Sequence, residues 1–206
     1  MMTHTAETMI PSPPHVVHAL TAFGNGFVAH PHNHALRAKL DAGQLNAVEY
    51  YAQLTRLLYR VLFLLTAEAQ GVLPSPQASA AARQRYLRSY SLSRLQHLGA
   101  RRRSLQATSL YRNLWTVMEY LGSDSSDLTL GVPALGRFLQ PAPALADLTN
   151  CVLADQDVIG AVQALASATG AARLDGEALA RLHLALQQWQ PVQPADASMA
   201  FKLFRV

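Results

Sequence analysis

The stretch Asn46 to Gln70, NAVEYYAQLTRLLYRVLFLLTAEAQ, decides the fold class. Tyr50, Tyr51, Leu54, Leu57, Leu58, Val61, Leu62 and Leu65 recur at the i, i+3, i+4 spacing of a helix, whereas Glu49, Gln53, Arg56 and Arg60 make only a narrow polar stripe. A helix with so broad an apolar face is mostly buried and needs other helices around it. Gly71 and Pro74 end it, and a Pro/Ser/Gln connection runs on to Gln77.

The chain around this element reads as helical too. It has 206 residues, 50% hydrophobic and 15% charged, against a charged share of about 25% in an average soluble domain. The expectation is a mainly α multi-helix bundle. Residues 1–14, with Pro11, Pro13 and Pro14, read as a flexible arm. Residues 15–121 read as a basic helical bundle. Its first helix, His15 to Phe23, stops at Gly24-Asn25-Gly26, and Asn33 caps a short helix, Ala35 to Ala42, that Gly43 ends. Three further helices follow, Ala78 to Arg88, Leu92 to Arg103 capped by Ser91, and Ser109 to Leu121. Residues 122–150 are Pro/Gly-rich and irregular, with a short strand or turn at Leu128 to Leu139. Residues 151–189 form a pair of helices capped by Asp155 and Asp175, and 190–206 form a tail. No fixed-period repeat argues for a solenoid.

Charge is unevenly spread. Residues 1–112 hold 12 Lys/Arg and 4 Asp/Glu, and residues 113–206 hold 5 and 9, so the net +4 is the sum of +8 and −4. No acidic residue stands between Glu68 and Glu119. Into that gap fall Arg83, Arg85, Arg88, Arg94, Arg101, Arg102, Arg103 and Arg112, with Tyr86, Tyr90, Tyr111 and Trp115 among them. Guanidinium groups pair bidentately with phosphate, and interleaved aromatics suit a nucleic-acid surface. The same arginines would equally serve a solvated helix exterior, pairing with the acidic half of the chain, or docking on an acidic protein partner.

Other chemistry is less supported. His30, His32 and His34 alternate along HPHNH, but three clustered histidines seldom complete a tetrahedral shell alone, and Pro31 with Asn33 explains the segment as a helix entry. No metal is expected there. The lone Cys151, between Asn150 and Val152, reads as a packed small residue rather than a nucleophile. Asp155, Asp157, Asp175 and Glu177 sit at helix beginnings, where they complement the macrodipole. Neither a Walker loop nor a G-x-G-x-x-G follows a strand. The longest apolar stretch, Leu57 to Leu65, contains Arg60 and falls short of the roughly 18 residues of a membrane span. The beginning of the chain has no secretory pattern, so a cytoplasmic protein without membrane contact is expected.

The run NGFVAHPHNHALRAKLDAGQLNAVEYYAQLTRLLYRVLFLLTAEAQGVL, Asn25 to Leu73, resembles a segment of the large bacterial restriction-modification proteins that carry an adenine-specific DNA methyltransferase. The resemblance runs on through RQRYLRSYSLSRLQHLGARRR, LYRNLWTVMEYL, VPALGRFL and LADQDVIGAVQALA, covering about Phe23 to Ala166. It implies a helical region ahead of the methyltransferase core. The core's own signatures, a glycine-containing S-adenosylmethionine loop and an N/D-P-P-Y/F motif, are missing from this chain, as is a nuclease cluster. No catalytic residue carries over, and no cofactor is expected; S-adenosylmethionine belongs to the full-length family. The resemblance implies a non-catalytic phage-defence module, standalone or truncated. It would contact DNA with the eight arginines, or dock on methyltransferase or restriction subunits.

Overall fold

The computed structural model describes residues 13–96, 107–169, 176–191 and 201–205. They form a mainly α bundle, as the periodicity of Asn46 to Gln70 predicts. Its helices are α1 (Pro13–Ala29), α2 (His34–Asp41), α3 (Ala47–Ala69), α4 (Ala80–Ser89), α5 (Ser93–Gln96), α6 (Ser109–Leu121), α7 (Asp155–Thr169) and α8 (Gly176–Gln187). A two-stranded antiparallel ribbon joins β1 (Trp189–Pro191) to β2 (Leu203–Arg205). No helix among the described residues is long and apolar enough to cross a membrane.

One hydrophobic core runs through the bundle. Val16, Ala19, Leu20, Phe23 and Phe27 line one face of α1 and pack with the α3 row and with Val158, Ala161, Val162 and Leu165 of α7. α3 has the expected ends. Asn46 and Glu49 form a reciprocal capping box, and Gly71 takes a positive φ of 70° just past its last turn.

The expected stop at Gly24-Asn25-Gly26 is not there, and α1 continues to Ala29. These glycines serve close packing. A Cβ on Gly24 would run into the Phe201 ring, and one on Gly26 would lie 2.5 Å from Leu153 Cδ1 and 2.8 Å from Asp157 Oδ2. Contact with α7 and the Phe201 segment outweighs the roughly 1 kcal/mol that glycine costs inside a helix. Helix α1 also starts at Pro13, earlier than expected, because prolines are tolerated in a first turn where the N–H has no intrahelical acceptor.

Three expected caps are not made, and in each the side chain bonds to residues distant in the chain instead. Asn33 makes no side-chain bond to the start of α2. Buried instead, it donates to Phe27 O (2.8 Å) and Val152 O (2.7 Å) and accepts from Val152 N (2.7 Å), tying α1 to the approach to α7. Asp155 caps α6 rather than its own helix, taking Leu110 N at 2.8 Å and the Ser109 hydroxyl at 3.2 Å. Ser91 does not cap α5; Glu68 of α3 does, accepting from Leu92 N and Ser93 N at 2.8 and 2.7 Å. The described part of α5 is four residues long, and the remainder of the expected Leu92 to Arg103 helix lies outside the described residues, as does Asp175.

The irregular segment is seated on the polar stripe of α3. Gln53 is buried, donates to Asp147 Oδ2 at 2.7 Å and accepts from Asp147 N at 3.0 Å. Arg60 reaches Leu139 O and Gln140 O at 3.3 and 3.0 Å, and Arg56 reaches Ala144 O at 3.3 Å. The place given to a short strand or turn holds a single antiparallel bridge, Asp127 to Val132, and a 3-10 turn at Arg137–Leu139. The expected tail contributes β1, β2 and the buried Phe201, whose ring meets Tyr50 edge-on at 5.6 Å.

Candidate nucleic-acid interface

Five of the eight arginines fall on described helices: Arg83, Arg85 and Arg88 on α4, Arg94 on α5 and Arg112 on α6. Arg101, Arg102 and Arg103 lie outside the described residues. Helix α4 packs through Ala82 and Tyr86, which leaves Arg83, Arg85 and Arg88 exposed, and Arg112 is exposed on α6.

The carbonyl of Ser89, the last residue of α4, gathers part of this set. It accepts from Asn113 Nδ2 of α6 at 3.0 Å and from Arg94 Nη2 at 3.4 Å. One backbone oxygen thereby joins the end of α4 to α5 and to the first turns of α6, grouping the segments that carry Arg88, Arg94 and Arg112. Arg83 and Arg85 spend one nitrogen each on neighbouring loops, on Pro76 O at 3.0 Å and on Thr129 O at 2.6 Å, which holds them against α4's flank. Among the described residues, no carboxylate comes within ion-pair distance of Arg83, Arg85, Arg88 or Arg112. Lys39 pairs with Asp147 at 2.5 Å and Arg137 with Asp124 at 2.8 Å, both elsewhere.

The aromatic half of the expected surface is not a surface. Tyr86 is 0% exposed and Tyr111 4%, each built into the core with its hydroxyl bonded inward, Tyr86 to Glu68 at 2.7 Å and Tyr111 to Leu148 O at 3.3 Å. Burial first, and the Glu68 carboxylate second, push the Tyr86 phenol far above its ordinary value, so it remains a donor. Tyr90 is half-buried against the core, and Trp115 packs there too while donating to Glu119 at 2.9 Å. Helical spacing accounts for part of the difference: Arg88 lies on the far side of α4 from Tyr86, whereas Arg83 flanks Tyr86, and Arg112 flanks Tyr111 and Trp115, at the edge of the apolar face.

The helix starts beside the arginines are also taken. Glu68 fills the amide end of α5 and Asp155 that of α6, so an incoming anion meets guanidinium groups rather than free backbone N–H groups there. Glu68 is a residue that sequence reasoning missed. It marked only the boundary of the acid-free stretch, although an acid standing alone before so many cations is itself a signal.

The remaining candidates have local partners. His30 is buried, its Nδ1 accepting from His32 N at 3.3 Å, and burial, with His32 and Arg37 nearby, lowers its pKa. Among the described residues no cluster of three His, Cys, Asp or Glu is placed to hold a metal ion. Cys151 donates to Asp147 O at 3.1 Å, and burial pushes its thiol up to about 11, which keeps it protonated at neutral pH. A groove of about 370 Å³ between α3, α8 and β1, walled by Tyr51, Leu186, Trp189 and Pro191, has no arginine in its lining.

No protein-family model, no curated protein and no solved structure matches the chain.

Proposed function

We propose that the protein is a non-catalytic helical module that contacts the DNA backbone through its arginine face, as part of a restriction-modification or phage-defence methyltransferase system. The observation that supports it is the set of exposed arginines on α4 and α6 with no carboxylate of the described residues within ion-pair distance. A charged surface left without internal counter-ions is stabilised by a polyanion, whose condensed cations are released on contact. Burial of Tyr86 and Tyr111 removes the stacking platforms that unpaired bases would need, which favours duplex over single-stranded DNA. The tie to methyltransferases comes from the ordered resemblance between Phe23 and Ala166, and in such a system docking on methyltransferase or restriction subunits is the accompanying role. The localisation that goes with it is cytoplasmic.

The test is titration of short duplex DNA against salt. If Arg101, Arg102 and Arg103 each neutralise one phosphate, replacing all three by alanine lowers the log–log slope by about 2.7. An unchanged slope removes these residues from the interface. A second reading, a basic face that docks on an acidic protein without nucleic-acid affinity, draws on the occupied starts of α5 and α6, which offer no backbone site to phosphate. Nuclease-insensitive capture of an acidic partner, together with absent duplex binding, would select it.

A further inference from the structure

Glu68, in the last turn of α3, carries an unusual load for one side chain. Its Oε1 accepts from the Tyr86 hydroxyl at 2.7 Å and from Leu92 N at 2.8 Å. Its Oε2 accepts from Ser93 N at 2.7 Å, from the Ser91 hydroxyl at 2.9 Å and from the Ser93 hydroxyl. These donors span Tyr86 to Ser93, from the middle of α4 to the first residue of α5. Arg88 lies inside that span and Arg94 directly follows it. The carboxylate thus ties the end of α3 to the junction of two arginine-bearing helices, where Arg88 is exposed and Arg94 is half-buried with one guanidinium nitrogen on Ser89 O. Asp155 does a similar task at α6 with fewer bonds and without bridging two arginine-bearing segments.

We infer that Glu68 is the positioning residue of the basic face, an internal anion that fixes the α4–α5 junction so that Arg88 and Arg94 present their guanidinium groups together to a phosphate backbone. The inference rests on the reading of this face as a polyanion-contacting surface. It makes a prediction opposite in sign to simple electrostatics. Removing a negative charge beside a DNA-binding face ordinarily strengthens binding, because repulsion of the phosphates is lost. Losing a positioning carboxylate weakens binding, because the junction no longer holds its two cations in register.

The test uses the full chain and the variant Glu68→Gln, which keeps the side-chain volume but turns one acceptor oxygen into a donor that faces other donors. Amide exchange at Leu92 and Ser93 and the salt dependence of binding to a short duplex are measured where the circular dichroism of variant and parent coincide. The expected result is exchange faster by about tenfold or more at both amides, with a slope lower by about 1.8, the loss of two phosphate contacts. In a chain already carrying Arg88→Ala and Arg94→Ala, adding Glu68→Gln leaves the slope where it was. Should the glutamine variant not fold, Glu68→Asp keeps the charge on a shorter stem that reaches fewer donors, and it too lowers the slope. Faster exchange at Leu92 and Ser93 with an unchanged or steeper slope overturns the positioning role and leaves Glu68 as a fold anchor. A parent chain without salt-dependent duplex binding overturns the polyanion reading itself, and this inference with it.

Discussion

Arg56 and Arg60 on α3 and Arg88 and Arg112 on α4 and α6 put the same guanidinium chemistry to different use. On α3 both reach backbone carbonyls of the irregular segment, the half-buried Arg60 with two nitrogens and the exposed Arg56 with one, and burial together with the neighbouring Arg56 lowers the Arg60 pKa. On α4 and α6 Arg88 and Arg112 are exposed, and no carboxylate of the described residues lies within ion-pair distance of them. One set holds the chain to itself, and the other makes no side-chain bond among the described residues. Arginine content alone therefore does not define a binding surface; what distinguishes the two sets is whether the fold already satisfies their donors.

The first way to break this contrast is to remove the inward set's support. Gln53→Leu strands both the Asp147 amide and an oxygen of its carboxylate, and is expected to cost about 2–3 kcal/mol, read from the urea midpoint. Arg60→Ala comes next, at about 2 kcal/mol, with no change in the salt slope of duplex binding. Equal losses of stability from Arg60→Ala and Arg88→Ala would erase the distinction.

Asp147 gives the contrast a pH dependence. Burial alone would raise its carboxyl, but bonds from Lys39 and Gln53 prevail and hold it below the usual carboxylate range. A folded-state pKa below the unfolded value contributes stability above the unfolded value, near pH 4, and loses it as pH falls through the folded one. Asp147→Asn should therefore cost about 1 kcal/mol at pH 7 and progressively less below about pH 4. A gap between parent and variant that widens in acid would contradict the assignment. The smallest expected effect on stability belongs to the outward set: Arg88→Ala and Arg112→Ala each stay within about 0.5 kcal/mol of the parent.

Much of the helical frame is legible in the sequence because it depends on local spacing. The apolar rows of α3 and α6 and the Asn46-x-x-Glu49 box decide their own helices. What sequence reading missed depends on residues distant in the chain. Gly24 and Gly26 look like a stop until Phe201 and Leu153 are seen pressed against them. Asn33 and Asp155 have the composition of local caps but serve partners 119 and 45 residues away. The arginine face divides likewise. Exposure of Arg83, Arg85 and Arg88 follows from helical phase, whereas inward-pointing Tyr86 and Tyr111 are fixed by the core they meet and by Glu68 and Leu148. The polar stripe on α3 has the period of a solvated face, yet Gln53 and Arg60 within it are covered by a segment whose own sequence has no regular pattern.

The central claim, that Arg88 and Arg112 are kept for a phosphate backbone and that Arg56 and Arg60, bonded to carbonyls of the irregular segment, are not, is tested most directly by comparing salt slopes for short duplex DNA in two double variants. Arg88→Ala with Arg112→Ala should lower the slope by about 1.8, while Arg56→Ala with Arg60→Ala, measured where it is folded, should leave it at the parent value. An equal fall in both pairs, or none in the first, would contradict it.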